Sequence, residues 1–112
     1  MVAPAKNAIR PVSPKRRIAI TGLGMVTPLG NDVASNWSNV VAGRSGISPI
    51  TRFNPSGSSV RIAGEVRDFD PSAYLERKEV KRLDPFTHYA VAAAQMAMDD
   101  AQLRIDAANA ER

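Results

Sequence analysis

The residues at 18–30, I-A-I-T-G-L-G-M-V-T-P-L-G, are the first whose types and spacing could do chemistry. A short apolar run leads into Gly22 and Gly24, and helix signals follow. A dinucleotide is held this way: G-x-G-x-x-G or A after a strand, with the pyrophosphate on a helix N-terminus. Here the third position is Thr27, and Pro28 follows it, removing a backbone donor where a phosphate needs one. The helix signals begin only at Asn31 and Asp32, too late for a cradle. An acidic residue is expected about 20 positions beyond the turn, but Asp32 comes too early and Glu65 too late. No Gly-Lys-Ser or Gly-Lys-Thr occurs, so a P-loop is excluded. The stretch then reads as architecture: the glycines turn the chain sharply out of a buried strand, and Pro28 stiffens the route.

Two other groups could carry chemistry. The chain has no cysteine, hence no thiolate nucleophile and no disulfide. Its one histidine, His88, would have to bind a metal with carboxylates alone, so no metal site is expected. No cofactor site is expected either. At 100° per residue His88, Gln95 and Asp99 fall within about 40° of each other. That polar stripe predicts a partly solvated His88. The run R-K-E-V-K-R at 77–82 is the second group. Arg77 and Lys81 are spaced i, i+4, as are Lys78 and Arg82, and the four cover about 140° of a helix surface. Such a face steers an acidic partner and raises the on-rate more than the affinity. The bland alternative is a solvated basic face interrupted by Glu79.

The elements that must position these residues follow from pattern. Arg17–Thr21 is β-branched and apolar, ends at Gly22, and predicts a buried strand. Asn31 and Asp32 are capping residues for a helix carrying Val33, Trp37, Val40 and Val41, which Gly43 stops. Residues 43–59 read as a loop, and Val60–Val66 as a second strand. Asp70-Pro71 and Asp84-Pro85 are both helix starts, an N-cap followed by proline at the first position. The last helix, from Pro85 to Ala101, is apolar over most of its circumference, which predicts burial on several sides. Its alanines permit close approach of neighbours. Two strands and two or three helices supply too little to cover it. The 112 residues are therefore expected to be part of a larger α/β unit, whose other layer comes from further chain or a partner.

Charge narrows the function classes. The net charge of +4 is uneven. Residues 1–17 hold Lys6, Arg10, Lys15, Arg16 and Arg17 and no acid, giving +5. The remainder has ten basic and eleven acidic residues, giving −1. A nearly neutral body argues against nucleic-acid binding. No stretch approaches the roughly 20 apolar residues of a membrane span. No secretory signal is recognisable. Residues 1–15, proline-rich and aperiodic, are expected to form a disordered tail ahead of a unit at 16–112.

Several separated motifs stand in order: T-G-L-G-M-V-T-P-L-G-N-D-V, Trp37, A-G-R-S-G-I at 42–47, R-I-A-G-E-V-R-D-F-D-P at 61–71, R-K-E-V-K-R-L-D at 77–84 and H-Y-A-V-A-A-A at 88–94. From about Arg16 to Leu103 the series resembles the amino-terminal part of the β-ketoacyl-acyl-carrier-protein synthases, most closely the elongating type II enzyme. The resemblance implies a partial thiolase-like fold, here the first strand and helix units of its N-terminal half. It also implies a cytoplasmic homodimeric acyltransferase of fatty acid synthesis that condenses an acyl thioester with malonyl-carrier protein. The family's nucleophile is a cysteine assisted by two histidines, since a thiolate attacks the thioester and imidazoles stabilise the enolate and oxyanion.

No catalytic residue carries over. The chain has no cysteine, and His88 lies far earlier than the family's histidines. The isolated segment is therefore expected to be inactive. What carries over is docking: the resemblance assigns Lys78, Lys81 and Arg82, with Arg77 beside them, to the acidic acyl-carrier protein. Gln102 departs from the family, which places a helix-ending glycine there. A carrier-binding module without chemistry and a polyketide ketosynthase fragment are the other readings.

Overall fold

The computed structural model describes residues 16–110. The expected tail at 1–15 lies outside them. The order of elements is α1 (Val33–Val41), β1 (Ile47–Pro49), a 3-10 helix (Pro55–Gly57), β2 (Ile62–Gly64), a second 3-10 helix (Pro71–Ala73), α2 (Arg77–Arg82) and α3 (Pro85–Asp100). β1 and β2 pair antiparallel, with Ile47 opposite Gly64, Ser48 opposite Ala63 and Pro49 opposite Ile62. β1 falls inside the stretch expected to be loop, and Val60–Val66 narrows to the three residues of β2. Asp70 caps as expected, its carboxylate accepting from the Ser72 N–H at 2.9 Å, but it opens only a single 3-10 turn.

α1 starts where its cap predicts. Asp32 accepts from the Ser35 N–H and hydroxyl, each at 2.7 Å, which draws its carboxyl below the ordinary range. The helix ends on Gly43, whose φ of 67° lets the Arg44 N–H return to the Asn39 carbonyl at 3.0 Å. α3 ends with the same geometry on Gln102, at φ 53°, with the Leu103 N–H bonded to the Met98 carbonyl at 2.9 Å. The helix does not run on. A residue with a Cβ takes the left-handed position there, at a cost of about 1 kcal/mol.

The expected strand at Arg17–Thr21 is a correction. The segment is extended, but it pairs with no strand among the described residues. Ile18 and Ile20 are 90% and 81% exposed. A strand needs a neighbour for its N–H and C=O groups, and pattern alone supplies none. The glycines that follow also differ from expectation. Neither Gly22 nor Gly24 has a positive φ, so they do not serve a sharp turn. They lie flat against α3. A Cβ on Gly22 would strike the Ala97 carbonyl oxygen and lie 2.6 Å from the Ala101 nitrogen. One on Gly24 would strike the Ala93 carbonyl oxygen and lie 2.9 Å from the Ala97 nitrogen. Glycine on one side and alanine on the other permit this backbone approach. Asp100 locks it by accepting from the Leu23 N–H at 2.9 Å.

The actual reversal is at Thr27–Gly30, where the two residues exchange backbone hydrogen bonds of 2.9 and 3.0 Å around Pro28 and Leu29. Asn36, fully buried in α1, holds this turn. Its side chain accepts from the Thr27 hydroxyl and donates to the Gly30 and Asp32 carbonyls at 2.8 and 2.7 Å. Asn39 adds a bond to the Leu29 carbonyl at 2.5 Å.

Gly24→Ala is expected to destabilise the fold by about 1–3 kcal/mol, since the colliding atoms are helix backbone. Gly57→Ala meets nothing within 4 Å and is expected to change stability little. Thermal midpoints of the two variants, measured in a form that unfolds cooperatively, check the contrast.

Candidate functional site

Geometry, like the motif, gives no phosphate cradle among the described residues. The glycines are occupied by α3, and the first turn of α1 is capped by its own Asp32.

The basic run does form a helix. Arg77, Lys78, Lys81 and Arg82 are all exposed on α2. At 100° per residue they occupy a sector of about 140°, while Val80 falls on the opposite side and Leu83 follows as the C-cap. Both of those are half-buried, so the cationic sector points outward. Glu79 does not interrupt it: its carboxylate turns back to the Glu76 N–H at 3.3 Å. Lys81 and Arg82 sit in the last turn, where positive charge suits the helix dipole. The structure thus brings together all four residues singled out from sequence.

His88 is a correction. Expected to be partly solvated, it is 7% exposed, and its Nε2 has no hydrogen-bond partner among the described residues. The stripe it shares with Gln95 and Asp99 has the right angle, but burial varies along the helix. His88 lies one turn before the fully buried Ala92. Gln95 and Asp99 lie further along, exposed, and bond each other at 3.1 Å.

Sequence reading missed a polar knot beside β2. Glu65 is buried and accepts from the Thr51 hydroxyl at 2.8 Å, the Thr51 N–H at 3.1 Å and the Arg52 N–H at 3.2 Å. The Thr51 hydroxyl, followed by these N–H groups, holds its carboxyl below the ordinary 4.5. Arg52 reaches from there to the Val66 carbonyl at 3.1 Å and the Tyr89 hydroxyl on α3 at 2.9 Å. Phe69 packs edge-on against Tyr89, with centroids 5.2 Å apart. It also stacks parallel to Tyr74 at 6.0 Å. The readable signal was three aromatic residues close in sequence to the basic run. Among the described residues, no group of three metal-ligating side chains occurs and no helix is long and apolar enough to cross a membrane.

Much of the apolar surface is uncovered. Ala92 is the one buried hydrophobic residue among those described. Trp37, Val40 and Val41 on α1 are exposed, and Leu23, Met25, Val33 and Trp37 line an apolar groove. The apolar stripe of α1 faces outward, while its polar Asn36 faces in.

Residues 15–112 match the family described as beta-ketoacyl synthase, N-terminal domain, and the chain belongs to that family. It is 50% identical over 97 residues to 3-oxoacyl-(acyl-carrier-protein) synthase 2 of Synechocystis sp., covering 87% of this chain and 23% of that protein. Proteins of the same name from Coxiella burnetii and Staphylococcus aureus are 48% and 43% identical, over 88% and 90% of this chain. The chain spans about a quarter of the length of each. Among solved structures, an ishigamide ketosynthase/chain length factor superposes with a TM-score of 0.71 at 40% identity, covering 80% of this chain and 22% of that one. The fold is therefore an incomplete portion of a ketosynthase, thiolase-like architecture.

Glu65 gives a pH-dependent outcome. Its folded pKa is depressed, so its contribution is present above the ordinary 4.5 and is lost as pH falls through the lower folded value. Amide exchange at Thr51 and Arg52 is expected to lose protection on acidification through that window. In Glu65→Gln, protection is expected to be weaker at pH 7 and flat with pH.

Proposed function

We propose that residues 16–112 are the amino-terminal part of a 3-oxoacyl-acyl-carrier-protein synthase of the elongating, fatty acid type. The observation that carries this is 43–50% identity over roughly nine-tenths of the chain to proteins of that name. In the whole enzyme, an acyl group held as a thioester on a cysteine is joined to malonyl-carrier protein. The malonyl unit loses carbon dioxide, the new carbon–carbon bond forms, and the thiolate leaves. The cysteine and the histidines that assist it belong to the rest of the enzyme. The uncovered apolar groove and the open extended segment are surfaces for that remainder and for a homodimer partner. A cytoplasmic location fits this reading.

The part of the function borne by this segment is carrier docking. Lys78, Lys81 and Arg82, with Arg77, present a cationic sector to the acidic acyl-carrier protein. Complementary charge steers the encounter and fixes its register. A polyketide ketosynthase is the second reading, favoured by the 40% identity to the ishigamide ketosynthase/chain length factor.

NMR titration with acyl-carrier protein tests docking. The triple variant Lys78→Glu, Lys81→Glu, Arg82→Glu is expected to abolish the shift changes, and added salt to weaken them in the unaltered protein. Identical shift changes in the triple variant contradict docking.

A further inference from the structure

We infer that the ring stack of Phe69, Tyr74 and Tyr89 is the positioning device for the basic helix, setting the orientation in which α2 meets its carrier protein. The inference rests on the docking reading above.

α2 has six residues, too few to be stable by itself. Its inward Val80 and the Leu83 that follows it are only half-buried, so they do not fix its orientation alone. The neighbours must do so. α2 packs on the 3-10 helix Pro71–Ala73, which in turn packs on α3. The rings run beside that path. Tyr89 belongs to α3, and its hydroxyl accepts from Arg52 at 2.9 Å. Phe69 meets it edge-on at 84°, and Tyr74 lies within 4° of parallel to Phe69. Tyr74 stands two residues before Glu76, the N-cap of α2. Offset-stacked and edge-to-face rings are the preferred aromatic geometries. Their rigid planes transmit the placement of α3 to the start of α2.

The Tyr74 hydroxyl makes no hydrogen bond among the described residues, so the ring face alone carries the effect. Charge complementarity depends on register, and a displaced basic sector pairs poorly with the same partner. Carrier recognition is then sensitive to a side chain that bears no charge and lies outside α2.

The test uses the full-length synthase carrying this segment, assayed with an acyl-carrier-protein substrate and with a small carrier-free thioester. Tyr74→Ala is expected to raise KM for the carrier-bound substrate about fivefold, with kcat and the carrier-free reaction unchanged. Tyr74→Phe keeps the ring and is expected to restore the original KM. If Tyr74→Ala does not fold, Tyr74→Leu is read in its place. Lys78→Glu with Lys81→Glu separates the two claims. A raised KM in that pair beside an unchanged KM in Tyr74→Ala overturns the positioning role alone. An unchanged KM in both overturns docking and positioning together. Equal losses with both substrates show a merely structural ring and also overturn the inference.

Discussion

The backbone of residues 22–24 rests directly on the backbone of α3, and the other placements follow from that contact. No side chain stands between Gly22 or Gly24 and the carbonyls of Ala97 and Ala93. The contact brings the extended segment onto one side of α3. It leaves Leu23 and Met25 beside α1 and delivers the chain into the Thr27–Gly30 reversal. From there Asn36 and Asn39 fix the start and direction of α1. On the far part of α3, Tyr89 gathers Arg52 and Phe69, and through them the β1–β2 pair and the approach to α2. α3 is thus a spine with a backbone-packed face and an aromatic face.

The segment is held together mainly by polar and backbone contacts. Asn36 and Glu65 are buried and well bonded, whereas Ala92 is the one buried hydrophobic residue among those described. Complete domains reverse this balance, because apolar burial is their dominant favourable contribution. Here the apolar stripes of α1 and the strand-like residues Ile18 and Ile20 face outward. The chain spans about a quarter of the length of the relatives it matches, and these apolar faces have no cover among the described residues.

Much of this was legible in the sequence. Caps are local chemistry, so Asp32, Gly43 and the Asp84-Pro85 start placed α1 and α3 to within a residue or two. The shared basic sector of α2 followed from i, i+4 spacing. Features that depend on partners were not legible. The run at 17–21 has a strand's composition, but strand pairing requires a neighbour that the described residues lack. β1 hid in a loop-like stretch because three residues, one of them proline, carry almost no periodic signal. His88 shows that helical periodicity gives an angle and not a depth. Gly22 and Gly24 read as a sharp turn, and only the structure revealed that they serve a close backbone approach to α3. Asn36 left no such trace, because it stands outside the apolar stripe of α1 and so reads as a surface residue.

A urea melt of the isolated chain, followed by far-UV circular dichroism, bears most directly on the dependence of this segment on the rest of a synthase. The uncovered faces lead us to expect a broad, non-cooperative loss of helix at low urea. A single cooperative transition with a stability of about 5–15 kcal/mol, as complete domains show, would contradict it.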